Sequence, residues 1–80
     1  MKTYHLIKTA TAQYALLDEQ MMPTLGGIGA INLVTMTINR LAAEERIRVV
    51  QYSKIGIKQS LESQHTYFVS SKNPFVHKVL

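Results

Sequence analysis

The chain has 80 residues, no cysteine and a formal net charge of +4, a length that allows one domain and excludes a second. Without thiols there is neither a disulfide framework nor a thiolate metal site, and packing has to supply the folding energy. With 46% hydrophobic and only 18% charged residues the composition excludes a disordered tail.

The charge is unevenly placed. Residues 1–45 carry Lys2, Lys8 and Arg40 against Asp18, Glu19, Glu44 and Glu45, a net of −1. Residues 46–80 carry Arg46, Arg48, Lys54, Lys58, Lys72 and Lys78 against Glu62, a net of +5. The basic surface therefore belongs to the C-terminal half, an asymmetry that points toward nucleic acid. No apolar run approaches the ~18 residues of a spanning helix, and the start "MKTYHLIKTATAQY" lacks the apolar core of a signal peptide. The expectation is a soluble, cytoplasmic protein.

In chain order, the spacing of Leu6 or Ile7, Ala10, Tyr14 and Leu17 predicts a first helix over "TYHLIKTATAQYALLDEQ". Pro23 biases Met22 away from helical angles and ends it, leaving a short extended piece at "MMPT". Thr24 then stands as an N-cap for a second helix. Gly26, Gly27 and Gly29 each cost ~1 kcal/mol there relative to alanine, yet Leu25, Ile28 and Ile31 keep a three-residue spacing through them. Asn32 tolerates the left-handed conformation and can turn the chain. A third helix follows, with Leu33, Ile38 and Leu41 inward and Ala42, Ala43, Glu44 and Glu45 as good helix formers. From Ile47 the period changes. "IRVVQYS" and "HTYFVS" (65–70) predict two strands joined by a long basic loop. The tail "NPFVHKVL" is open between a helical turn and a strand.

Helix, extended piece, helix, tight turn, helix, strand, loop, strand is an order that resembles the winged helix-turn-helix DNA-binding domains, including small bacterial and phage regulators of FaeA-like size and layout. The resemblance rests on "TLGGIGAINLVTMTINRLAAEERIRVV", where Ile28 precedes the turn residue Asn32 by four positions and Leu33 follows it. "T-I-N-R-L" at Thr37 to Leu41 stands where that family often has "T-V-x-R-x-L", and "LAAEERIRVV" leads into the first wing strand with Glu45 or Arg46 in the usual glycine place. It implies an α+β fold of three helices followed by a two-stranded β wing. The single domain spans 1–80, with the helix-turn-helix at about 24–45, the wing at about 47–71 and the tail at 72–80.

The resemblance further implies a sequence-specific regulator of transcription bound to double-stranded DNA, with its third helix in the major groove. Arg40 would pair with guanine, Asn39 with adenine, and Met36 or Val34 would lie against a thymine methyl. Thr24 and Thr35, near helix starts, would cap them or meet phosphate. Arg46, Arg48, Lys54 and Lys58 would grip the flanking backbone. A module this small is expected to act as a homodimer or beside a partner regulator, with Phe75, Val76, Val79 and Leu80 as the self-association surface. The competing reading is a winged-helix protein–protein interaction module that does not bind DNA.

Other chemistry finds little footing. His5, His65 and His77 lack ligand spacing, and "LGGIG" lacks the Lys-Ser/Thr of a phosphate loop. Five carboxylates without a nucleophile constellation do not suggest an enzyme. The expectation is no catalysis, no cofactor and no metal.

Overall fold

The structure, a computed structural model, describes residues 1–55 and 64–77. The chain runs β1 (Lys2–Ala10), β2 (Gln13–Leu17), β3 (Pro23–Gly29), α1 (Ile31–Glu44), β4 (Ile47–Ile55) and β5 (Gln64–Val69). The strands form one five-stranded sheet in the order β3-β2-β1-β4-β5. β1 pairs with β4 in parallel, and every other neighbouring pair is antiparallel. β3 and β4 thus point the same way, and α1 is the crossover that carries the chain from one edge, past β2 and β1, to β4.

This overturns the winged helix-turn-helix expectation of three helices and a two-stranded wing: among the described residues there is one helix and a mixed five-stranded sheet. The segment foreseen as the first helix is the β1–β2 hairpin. Its apolar residues are needed on both faces of the sheet, with Tyr4 and Leu6 in one buried cluster and Ile7 in another, so alternation was masked by burial on two sides. The turn, Thr11-Ala12, carries no glycine or asparagine, and Ala12 takes a left-handed φ of 61° unannounced. β4 and β5 do fall on the two β-rich stretches, but as interior and edge strands of the sheet instead of a projecting wing.

The segment foreseen as the second helix is β3, an edge strand. Its glycines bring the strand under α1: a Cβ on Gly26 would stand 3.2 Å from Thr37 Oγ1, and the residue's φ of 74° suits glycine in any case. Thr24 is a strand residue, not a helix cap, and its hydroxyl is buried without a hydrogen-bond partner among the described residues. The helix begins at Ile31, absorbing Asn32, so no turn separates two helices.

α1 buries Val34, Thr37, Ile38 and Ala42, with Ile31 and Leu41 partly covered, on one stripe at helical spacing. That stripe packs on Tyr4, Leu6, Leu16, Ile47, Val49 and Val69 of the sheet to form the main core. Ile7, Ala15, Leu17, Val50 and Tyr52 make a second cluster, whose positions alternate with core residues along β1, β2 and β4 and so occupy the opposite face. There the Tyr52 hydroxyl lies 2.7 Å from His5 Nδ1, and the two rings stack at 5.9 Å.

The segment after β5 is tied down by Asn39. Its side chain accepts from the Phe75 N–H at 2.7 Å and donates to the Phe75 carbonyl at 3.3 Å. Phe75 is thereby set into the core, its ring edge-on to Tyr67 at 4.9 Å. The Tyr67 hydroxyl is buried with no hydrogen-bond partner among the described residues, and burial raises its pKa. Since an unsatisfied buried hydroxyl costs about 1–3 kcal/mol, Tyr67→Phe is expected to raise the thermal midpoint, as measured by circular dichroism melting. A lower midpoint would mean that the hydroxyl has a partner.

His77 sits against Tyr14, ring centroids 5.6 Å apart. Its pKa is lowered, first by burial and then by Lys8. A base with a depressed folded pKa resists protonation in the folded state, so its contribution is complete above the ordinary histidine value and is lost as pH falls below that value. Stability is expected to decline between about pH 7 and pH 5 by a small amount that His77→Gln removes. Urea titrations at the two pH values check this, and equal pH dependence in both proteins would refute it.

Candidate nucleic-acid interface

The face of the sheet opposite α1 is framed by alternation in β4 and β5. Arg48 is the Cα partner of Thr3 on β1 and of Phe68 on β5, and Val50 is the partner of His5 and Thr66. Arg48 and Val50 share one parity along β4, so Arg48 projects on the side of the second cluster, away from the helix, and Arg46, just before the strand, reaches the same ring, that of Phe68.

Phe68 is 45% exposed, unusual for a phenylalanine on a sheet. The guanidinium carbons of Arg46 and Arg48 lie 5.7 and 5.6 Å from the centre of its ring, within cation–π range. Both arginines are exposed, and among the described residues neither is paired with a carboxylate. Each therefore keeps hydrogen-bond donors free for an anion. Thr3 is half-buried and Thr66 exposed beside them, offering hydroxyls. The result is a double positive charge, unpaired among the described residues, beside an accessible aromatic ring at the β4–β5 end of the sheet.

The remaining residues expected to bind DNA are dispersed. Val34 is wholly buried in the main core and cannot reach a base. Asn39 spends its amide on Phe75. Arg40 is exposed, but its Nη2 donates to the Leu25 carbonyl at 3.2 Å. Thr35 is half-buried, and Met36 is exposed on the outer side of α1, where Arg40 is the nearest cation along the helix. Thr24 belongs to β3, at the far edge from the arginines. Lys54 lies in β4 by its backbone, whereas Lys58 lies outside the described residues. Of the tail expected to self-associate, Phe75 is buried, Val76 is exposed, and Val79 and Leu80 lie outside the described residues.

Of the expected set, Arg46 and Arg48 come together around Phe68, an aromatic of the second β-rich stretch, while Met36 and Arg40 line a separate groove beside β3. Phe68 carries one sequence signal: Tyr67, Phe68 and Val69 cannot all face the same way on a strand, so one of the aromatics had to turn from the core. A second apolar feature lies at the opposite edge, where a groove of about 420 Å³ runs between β3 and α1. No group of three or more His, Asp or Glu able to hold a metal occurs among the described residues. Among them there is also no helix long and apolar enough to cross a membrane. No protein-family model, curated protein or solved structure matches this chain, so the site is read from its own geometry.

Proposed function

We propose that this protein binds DNA through the exposed patch at the β4–β5 end of its sheet, with Arg46 and Arg48 on phosphates and Phe68 as the apolar platform between them. The observation that carries the reading is the exposed Phe68 ring with two unpaired guanidiniums within 6 Å of its centre. Guanidinium forks match phosphate oxygens, and an accessible ring adjoining them suits a sugar or an unstacked base. The excess of positive charge in residues 46–80 adds a field that draws a polyanion to this end of the molecule. In this reading the helix is a structural support, and contact with duplex DNA is mainly through the backbone. Regulation of transcription is the role we propose for such a module.

The test is fluorescence anisotropy with random-sequence duplex and single-stranded oligonucleotides across a salt titration. Binding in the micromolar range that weakens steeply with salt is expected, and tighter binding of the single strand would assign Phe68 to base stacking. No binding to either at low salt would refute the reading. The second reading, a protein-interaction module, is favoured by a separate observation, the apolar groove at the β3 edge.

A further inference from the structure

β3 does not run straight along β2. Between the pairs Ala15–Ile28 and Leu17–Pro23, β2 has the single residue Leu16, whereas β3 has Thr24, Leu25, Gly26 and Gly27. The extra residues form a wide bulge, and Leu25 on it is 91% exposed. A leucine so fully in water gives up the burial energy of its side chain.

The bulge is held in place by α1. Thr37 Oγ1 donates to the Gly26 carbonyl at 2.6 Å, and Arg40 Nη2 donates to the Leu25 carbonyl at 3.2 Å. The two carbonyls that the edge strand would otherwise present are thus bound by helix side chains, which fixes the direction in which Leu25 projects. Next to it opens the groove of about 420 Å³ lined by Gly26, Ile28, Leu33, Met36, Thr37 and Arg40. Ile28, Leu33 and Met36 are each more than half exposed. An apolar projection and an apolar groove therefore share one surface.

We infer that this surface docks on the same surface of a second copy of the chain, Leu25 of each protomer entering the β3–α1 groove of the other. A two-fold contact requires a patch that complements itself, and a projection beside a matching hollow has that property. Leu25, Ile28, Leu33 and Met36 together expose an area on the order of 500 Å², the upper end of what a monomer usually shows and below the ~800 Å² per partner of a standard interface, which suits a weak, concentration-dependent dimer. The exposed stripe of α1 carries one charge of each sign, Arg40 and Glu44, so a second copy brings no excess of like charge. The contact is independent of the DNA reading, because β3 and β5 are opposite edges of the sheet. A dimer built this way leaves both arginine pairs free.

Sedimentation velocity over a concentration series, from about 5 to about 500 µM, tests the proposal by mass action. The native chain is expected to shift from monomer to dimer, and Leu25→Asp or Met36→Glu to weaken association at least about tenfold. Circular dichroism should show both variants folded. Val76→Asp, on the exposed tail, should leave the dimer intact. A native chain that stays monomeric throughout overturns the proposal and leaves the groove to a different protein. A dimer broken by Val76→Asp and not by Leu25→Asp overturns it in favour of the tail.

Discussion

Changing Arg46 and Arg48 together to glutamate is expected to abolish measurable DNA binding at physiological salt, while the protein keeps its native melting curve. Both side chains are exposed and form no ion pair among the described residues, so the fold has little stake in them beyond their contact with Phe68. DNA binding has a large stake, because two favourable phosphate contacts become two repulsive ones. The double alanine variant gives the quantitative form. Each lost contact should lower the slope of log affinity against log salt by ~0.9, so the pair should remove close to two from it. Phe68→Ala is expected to weaken binding by about tenfold, in the range of a lost stacking contact. Arg40→Ala should change affinity little, because Arg40 is bound to the Leu25 carbonyl on another surface. Loss of binding with Arg40→Ala, together with normal binding by the arginine pair variants, would place the interface on the helix and sink the sheet-face reading.

What the sequence conveyed of this fold depended on how many faces each element buries. α1 and the strands around "IRVVQYS" and "HTYFVS" were legible because composition there is uniform: alanines and glutamates at the end of the helix, β-branched and aromatic residues in the strands. In α1 the inward stripe holds at Ile38 and Leu41 and fails at its start. Leu33 was expected inside and Val34 outside, whereas Val34 is buried and Leu33 half-exposed.

The hairpin of β1 and β2 was illegible for a different reason. Leu6 and Ile7 lie on opposite faces of the sheet and both are buried, so a strand with two dry sides presents adjacent apolar residues. Its spacing then matches a helix by chance. Asp18 offered one missed cue. Its carboxylate accepts from the backbone N–H groups of Gln20 and Met22 at 2.9 and 3.0 Å, and aspartate commonly organises a turn in this way. The site was legible in part. Clustered charge pointed to the C-terminal half and named Arg46 and Arg48, but the pairing of Arg48 with Phe68 depends on strand register, which sequence fixes only once the face of each strand is known.

The glycines that run through β3 carry a large effect on stability. Gly27→Ala is expected to destabilise the protein by about 3 kcal/mol, at or above the upper end of ordinary overpacking costs, and so to lower the melting midpoint by roughly 10–20 °C in a domain of this size. A Cβ at this position would overlap Thr24 Oγ1 and come within 2.9 Å of the Leu16 carbonyl and 3.1 Å of the Thr24 carbonyl. The side chain could turn aside, but the Leu16 backbone lies in the neighbouring strand and cannot retreat without unpairing β3. Thr24→Ala separates the two obstacles. Alone it should shift stability by less than about 1 kcal/mol, because the lost hydroxyl is buried and unpartnered. Combined with Gly27→Ala it should recover part of the loss, a coupling of about 1 kcal/mol between residues in contact, with the backbone overlap keeping recovery incomplete. Urea unfolding of the three variants measures the cycle. Full recovery would locate the whole conflict in the threonine side chain, and a harmless Gly27→Ala would mean that β3 does not lie this close to β2. The stakes extend to association, because the bulge that Gly27 closes is the one that presents Leu25.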